Sequence, residues 1–133
     1  MHASKIDVSV DVSDDIVASL DKSQMERVLL NLVTNSIHAL RDSKRGDRIL
    51  LKVYKENNSV VIEVSDNGPG IPGNVIQKIF EPFFTTKGFG KGTGLGLSIC
   101  YNIVRAHGGN ISVKSKEGEG TTFMIELPYQ ELQ

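Results

Sequence analysis

The sequence predicts an α/β fold: a two-layer sandwich in which a mixed β-sheet is covered on one face by about three helices. Two long stretches carry apolar residues at helical spacing, and several shorter stretches alternate apolar and polar residues as strands do. Turn-forming residues, mostly Gly, Asn and Asp, separate these stretches. Composition alone leaves several α/β topologies open.

The chain begins with a predicted strand and a predicted long helix. Residues 6–12 alternate Ile or Val with polar residues, which is typical of a half-buried strand. Ser23 and Glu26 fit a capping box, which places the start of a helix near Ser23. Apolar residues then recur at helical spacing, so we expect this helix to run to about Arg41.

Two predicted hairpins supply four more strands. The first joins strands over 48–54 and 60–65 through an Asn-containing turn. The second joins strands over 110–115 and 121–127 through a turn rich in Gly and Glu. Together with the first strand, the hairpins predict a five-stranded sheet.

The segment between the hairpins predicts a short helix, a loop and a second long helix. Residues 72–79 favour the short helix, since Pro fits a first helical turn. Residues 80–93 have many glycines and little periodicity, which predicts a mobile loop. The second long helix is expected from Gly94 or Leu95 to about Ala106, where a Gly-Gly pair provides a stop signal.

Length and charge indicate a single domain of ordinary composition. The chain has 133 residues, of which 39% are hydrophobic and 23% charged, and its formal net charge is −1. We expect the domain to cover residues 5–129, with tails at 1–4 and 130–133. No basic stripe stands out, so nucleic-acid binding is not expected.

Cysteine content and hydropathy bear on the compartment. Cys100 is the single cysteine, which excludes an internal disulfide and a Cys-based zinc site, and its apolar helical setting predicts a packed, reduced thiol. The apolar runs are too short to span a bilayer, and no signal sequence precedes the first strand. We therefore expect a cytoplasmic domain that makes no membrane contact.

The sequence DNGPGI, which starts at Asp66, has the features of a base-binding loop. A carboxylate at the end of a strand can accept a hydrogen bond from an adenine amino group, while Gly68 and Gly70 allow the base to approach the backbone. Guanine presents a carbonyl at that place, so such a site would reject it. Taken alone, however, this is also a common turn sequence.

Two asparagines on the first long helix are candidate magnesium ligands. Asn31 and Asn35 lie four residues apart and therefore share one helix face with Arg27 and His38. A side-chain amide oxygen is a neutral, hard ligand that suits Mg²⁺. The alternative is that both amides are solvated or bond to the local backbone.

A glycine cluster precedes the second long helix. The exposed N–H groups at a helix start favour a bound phosphate, and glycines allow close approach: Gly90, Gly92, Gly94 and Gly96. Lys87 and Lys91 could neutralise phosphate charge, or they could be ordinary solvated lysines. The pattern matches neither GxxxxGK[ST] nor GxGxxG, so neither standard phosphate loop explains it.

In their order and content, these blocks resemble the ATP-binding catalytic domain of two-component sensor histidine kinases. The resemblance spans roughly residues 6–128 and includes the helix motif from Asn31 to Asn35, the DNGPGI loop, FEPFFTTK, and GKGTGLGL. It implies the Bergerat fold of the gyrase, heat-shock chaperone, histidine kinase and mismatch-repair superfamily. It also implies ATP and Mg²⁺ as ligands.

The resemblance also implies roles for individual residues. Asn35 corresponds to the direct metal ligand, with Asn31 assisting, and both are implied to be catalytic together with Lys87 and Lys91. Asp66 corresponds to the residue that fixes adenine, and Thr121 to the residue that supports it. The implied nucleotide contacts further include Gly68, Gly70, Ile71, Phe80, Gly90, Gly92, Thr93, Gly94, Leu95, Gly96 and Leu97. His38 departs from the family, many members of which carry a basic residue near the phosphates at this place; it could contact phosphate when protonated, or simply cap the helix face.

Within this superfamily, one position favours a kinase. Members that hydrolyse ATP carry a Glu four residues before the metal-binding Asn, as the base that activates water. Asn31 stands at that position here and cannot accept a proton near neutral pH. A hydrolytic ATPase, an anti-sigma-type Ser/Thr kinase and a degenerate binding module remain the alternatives.

The histidine that accepts the phosphate is not in this chain. In the family, that residue is followed directly by an acidic residue on a dimerisation helix, whereas His2, His38 and His107 precede Ala, Ala and Gly. The expected partners are therefore a histidine-containing dimerisation domain of the same kinase and the receiver domain of a response regulator. The isolated chain is expected to bind ATP without phosphorylating itself.

Overall fold

The computed structural model describes residues 6–12, 22–76, 78–81 and 96–128. The elements in chain order are β1 Asp7–Val12, α1 Lys22–Ser43, β2 Arg48–Glu56, β3 Ser59–Asp66, α2 Gly73–Ile76, α3 Gly96–Ala106, β4 Asn110–Lys116 and β5 Gly120–Pro128. All five predicted strands and both predicted long helices are present. The predicted mobile loop lies outside the described residues apart from its first two positions.

The five strands form one mixed sheet, as predicted. Their order is β1-β2-β3-β5-β4, with β1 parallel to β2 and every other pair antiparallel. The β2–β3 hairpin closes over a two-residue turn, where Asn57 has a φ of 55°. Asn tolerates this left-handed conformation better than most residues, which is why the turn can be so short.

One face of the sheet packs against the helices and forms the core. Alternate residues of the central strands are buried on this face: Ile49, Ile62, Val64, Phe123, Ile125 and Leu127. They meet Val28 and Leu32 of α1 and Val104 of α3, each fully buried. Burial of one such side chain stabilises the fold by about 1.5–3 kcal/mol, so this face holds the two layers together.

The prediction of a half-buried first strand was wrong in one respect. Residues 7–12 do form β1, but Val8 and Val10 are 51% and 62% exposed. The cause is the position of β1 at the edge of the sheet, since α1 packs chiefly on β2 and β3 and α3 packs on β4. An alternating pattern reports which residues share a face, not whether a helix covers that face.

The helix boundaries differ slightly from the predicted ones. α1 begins at Lys22, so Ser23 lies within the first turn and does not cap it, and the helix continues to Ser43. α2 is only four residues long, shorter than the predicted 72–79. The predicted stop of α3 is confirmed, because Gly108 has a φ of 76° and the N–H of Gly109 donates to Val104 O at 3.0 Å.

Candidate nucleotide-binding site

Asp66 ends β3 on the face of the sheet that the helices cover. The side chain is half-buried, and its Oδ1 accepts the N–H of Gly68 at 2.9 Å. Burial raises the pKa of the carboxyl group above 3.8, while the Gly68 N–H, the Ser36 hydroxyl and the Thr121 N–H act in the opposite direction. Asp66 is thus a half-buried acceptor at the end of an inner strand, where it can bind an N–H donor.

The loop after Asp66 is held tightly against the β4–β5 turn. A Cβ added at Gly70, whose φ is +77°, would lie 2.3 Å from Lys116 O. The N–H of Gly118 donates to Pro69 O at 2.8 Å. At Gly120, with a φ of +139°, an added Cβ would lie 2.0 Å from Asp66 O. These close approaches require glycine and fix the loop beside Asp66.

Thr121 is buried next to Asp66 and is held by a serine that sequence reasoning missed. Thr121 Oγ1 lies 2.8 Å from Ser115 Oγ. Ser115 Oγ also accepts the N–H of Ile71 at 2.7 Å and donates to Gly120 O at 3.0 Å. The available signal was the predicted hairpin, whose register places Ser115 directly opposite Thr121. Ser115 thereby connects the loop after Asp66 to the start of β5.

Ser36 is a second site residue that sequence reasoning missed. It follows Asn35 on α1 and is only 1% exposed. Its hydroxyl faces Asp66 and helps to lower the pKa of that carboxyl group, yet it makes no well-formed hydrogen bond within the described part of the chain. The signal was a serine on the apolar face of α1, where it could only point into the protein.

The candidate metal ligands lie on the flank of α1. Asn31, Asn35 and His38 are half-buried there, and Ser36 links the same helix to Asp66. Two amide oxygens one helical turn apart form a neutral, hard donor set that fits Mg²⁺ together with phosphate oxygens. The residues present therefore fit the expected metal.

Cys100 of α3 packs against α1. Its thiol is fully buried and donates to Val28 O at 3.7 Å. Burial raises the pKa of the thiol, and the Asn31 side chain acts in the opposite direction. The predicted packing of Cys100 is confirmed.

Phe80 packs into the core rather than beside Asp66. Its ring lies 6.0 Å from that of Tyr101 and 6.2 Å from that of Phe123, the second pair in an edge-on arrangement. Leu97 is half-buried at the start of α3 and packs against the same core. The structure thus shows Phe80 packed against the core, and a nucleotide contact by Phe80 or Leu97 stays a prediction.

Several predicted site residues lie outside the described residues: Lys87, Gly90, Lys91, Gly92, Thr93, Gly94 and Leu95. Gly96 is described as the first residue of α3. In the described ranges, no cluster of three or more His, Cys, Asp or Glu side chains could hold a metal ion. None of the described helices combines the length and apolarity needed to cross a membrane.

Comparison with known families identifies the class. Residues 20–131 match the model of the histidine kinase-, DNA gyrase B- and HSP90-like ATPases. The chain belongs to this family. Its curated relatives include sensor histidine kinases, and the chain corresponds to their catalytic ATPase domain.

Individual relatives and solved structures agree with this assignment. The sensor kinase CckA of Brucella abortus is 42% identical over 92% of this chain, which spans 14% of that protein. The catalytic domain of the histidine kinase ThkA superposes with a TM-score of 0.79 and 38% identity, over 93% of this chain and 79% of that one. Full-length ShkA in complex with AMPPNP gives a TM-score of 0.80 at 28% identity, over 96% of this chain and 26% of that one.

Proposed function

We propose that the chain binds Mg–ATP and donates the γ-phosphate to a histidine on a separate dimerisation domain of the same kinase. The phosphate then passes to the receiver domain of a response regulator. The main observation behind the proposal is Asp66, a half-buried carboxylate beside closely packed glycines in a sensor-kinase catalytic domain. The complex of the related ShkA with AMPPNP supports an adenine nucleotide as ligand.

Adenine recognition falls to Asp66 and the loop that follows it. The carboxylate accepts a hydrogen bond from the adenine amino group, and its own position is fixed by the Gly68 N–H. The base lies against the loop that carries Gly68 and Gly70, which is held closely beside Asp66. Thr121 lies opposite Asp66 in the strand pair and completes the base-binding end of the site.

The phosphates are placed along the flank of α1. Asn35 and Asn31 hold Mg²⁺, with His38 one turn further along the same flank. Bound Mg²⁺ neutralises developing charge on the phosphate oxygens. Lys87, Lys91 and the glycines from Gly90 to Gly96 surround the phosphate chain in this proposal, as the sequence pattern indicates.

Transfer to histidine needs little acid–base chemistry from this chain. An imidazole is already a nucleophile, so the site chiefly positions the γ-phosphate and stabilises charge. Asn31 occupies the place of the water-activating Glu, and its amide cannot accept a proton near neutral pH. Hydrolysis is therefore expected to be slow, which disfavours the hydrolytic ATPase.

The chain acts as the catalytic half of a longer protein in this proposal. It spans 14% to 22% of the length of the first four curated relatives that it matches. The domain covers residues 5–129, works in the cytoplasm, and contacts neither membrane nor nucleic acid. The isolated chain binds ATP but does not phosphorylate itself, because its three histidines lack the acidic neighbour of an acceptor.

The proposal is tested by supplying the acceptor. The chain is mixed with radiolabelled Mg–ATP and the dimerisation domain of a related sensor kinase. Label on the added domain that is lost in acid and stable in base is the expected result, since phosphohistidine is acid-labile. The Asp66→Asn chain is the matched negative control. Acid-stable label, or brisk phosphate release without transfer, would contradict the proposal.

A further inference from the structure

We propose that Ser115 is a positioning residue that makes Thr121 a hydrogen-bond acceptor and thereby sharpens the preference for adenine over guanine. The inference rests on the proposed nucleotide site and extends it to a residue that touches no nucleotide itself. It follows from the three hydrogen bonds of one hydroxyl group, considered proton by proton.

Ser115 uses every hydrogen-bonding position that its hydroxyl group has. A serine hydroxyl offers one proton and two lone pairs. The N–H of Ile71 occupies one lone pair, at 2.7 Å. The hydroxyl also lies 3.0 Å from Gly120 O, a carbonyl oxygen that can only accept, so Ser115 donates its proton to Gly120 O. The second lone pair remains for Thr121.

The proton of Thr121 is therefore committed to Ser115. The two hydroxyl oxygens are 2.8 Å apart, and Ser115 has no proton left to give, so Thr121 is the donor. Only lone pairs of Thr121 Oγ1 then remain for any other group. Because Thr121 is only 7% exposed, water competes little for this arrangement.

Two acceptors consequently lie side by side at the base-binding end of the site. Asp66 and Thr121 are directly paired across β3 and β5 and lie on the same face of the sheet. An adenine amino group, or a water that it orients, supplies N–H or O–H donors to both. A guanine carbonyl supplies none, so the remaining lone pairs of the half-buried Asp66 and the buried Thr121 lack a donor, which is costly.

The Ser115–Thr121 pair has a close counterpart on the opposite face of the sheet. Ser65 Oγ and Thr122 Oγ1 lie 2.9 Å apart, one residue from the pair at Asp66 and Thr121 in the same strands. Ser65→Ala removes a half-buried hydroxyl of the same kind without touching the site. It is therefore the matched control for Ser115→Ala.

The test measures dissociation constants for ATP and GTP, with Mg²⁺ present, by competition against a fluorescent ATP analogue. We expect Ser115→Ala to lower the ratio of the GTP constant to the ATP constant by about tenfold, the scale of one hydrogen bond. Ser115→Thr keeps the hydroxyl and is expected to keep the ratio, as is Ser65→Ala. If Ser115→Ala does not fold, judged by thermal unfolding, Ser115→Cys is measured with the same expectation.

The outcomes separate a specificity role from a structural one. Equal weakening of ATP and GTP binding would mean that Ser115 only supports the loop, and an unchanged ratio would mean that it does nothing to recognition; either result overturns the inference alone. A wild-type chain that binds ATP no better than GTP would overturn the proposed adenine site as well, before any variant is compared.

Discussion

Asp66 and Thr121 lie directly opposite each other in the antiparallel pair β3–β5, one at the end of its strand and the other near the start. Their side chains therefore share the helix-covered face at the end of two inner strands of the sheet. The sheet fixes both polar groups, and Gly70 and Gly120 let the neighbouring backbone pack closely beside them.

Asp66→Asn is expected to abolish ATP binding while the chain stays folded. The amide replaces an acceptor by a mixed donor and acceptor, which no longer matches the adenine amino group. Calorimetric titration with ATP measures the loss, and thermal unfolding measures the fold. Unchanged ATP affinity in the variant would remove Asp66 from the site.

The same variant has an expected pH signature in the absence of nucleotide. Burial raises the pKa of Asp66 above 3.8, so the folded chain holds this proton more tightly than the unfolded chain does. The stability contributed by this group is full below that ordinary pKa and is lost as the pH rises through the folded pKa. In denaturant unfolding, the free energy of unfolding of Asp66→Asn should therefore increase relative to that of the wild type as the pH rises. An opposite trend would contradict the stated cause.

Asn35→Ala is expected to weaken the Mg²⁺-dependent part of ATP binding by about tenfold or more, because it removes a direct ligand. ATP titrations with Mg²⁺ and with a chelator separate that part from the rest. Asn102→Ala, an exposed asparagine on α3, controls for the change of an Asn to Ala in a helix. Equal Mg²⁺ dependence in both variants would contradict the metal assignment.

Gly120→Ala is expected to destabilise the fold by about 2–4 kcal/mol, since the new Cβ meets a backbone oxygen and the backbone φ is positive. The midpoint of thermal unfolding should fall by about 10 °C or more. Gly73→Ala is the matched control, because an added Cβ there meets nothing within 4 Å. Similar midpoints for both variants would show that Gly120 does not pack tightly against the backbone oxygen of Asp66.

The Cys100 thiol is expected to resist modification in the native chain. Burial raises its pKa to about 11, against an ordinary value of 9.0, so at neutral pH the thiolate is about a hundredfold scarcer than in an exposed thiol. A colorimetric thiol reagent should react fully only in denaturant. Stability should also fall as the pH rises from 9.0 towards 11, because only the unfolded thiol ionises there. Rapid native reaction would contradict the packing.

Local sequence patterns predicted the strands, the long helices and Asp66 because each leaves a short-range signal. A two-residue period gave the hairpins, and the Gly-Gly pair gave the end of α3. The exposure of Val8 and Val10 was missed because coverage of an edge strand depends on where the helices pack. That is a property of the whole fold and not of residues 6–12.

Ser36 and Ser115 were missed for a related reason. Each is a common residue whose role arises only when two distant segments meet: α1 with the end of β3, and β4 with the loop after Asp66. Likewise, the hydrogen bond from the Cys100 thiol to Val28 O joins α3 to α1, two helices that lie far apart in sequence. Motif reasoning proposed groups that could face a ligand, and it missed residues that pack beside them.

Calorimetric titration of the 133-residue chain with ATP, with and without Mg²⁺, is the decisive test of the proposed nucleotide site. We expect one site per chain, a dissociation constant on the order of micromolar, tighter binding with Mg²⁺, and no heat from continuing hydrolysis. A folded chain that shows no ATP binding, or that hydrolyses ATP steadily, would contradict the proposal of a catalytic domain whose histidine acceptor lies on a separate domain.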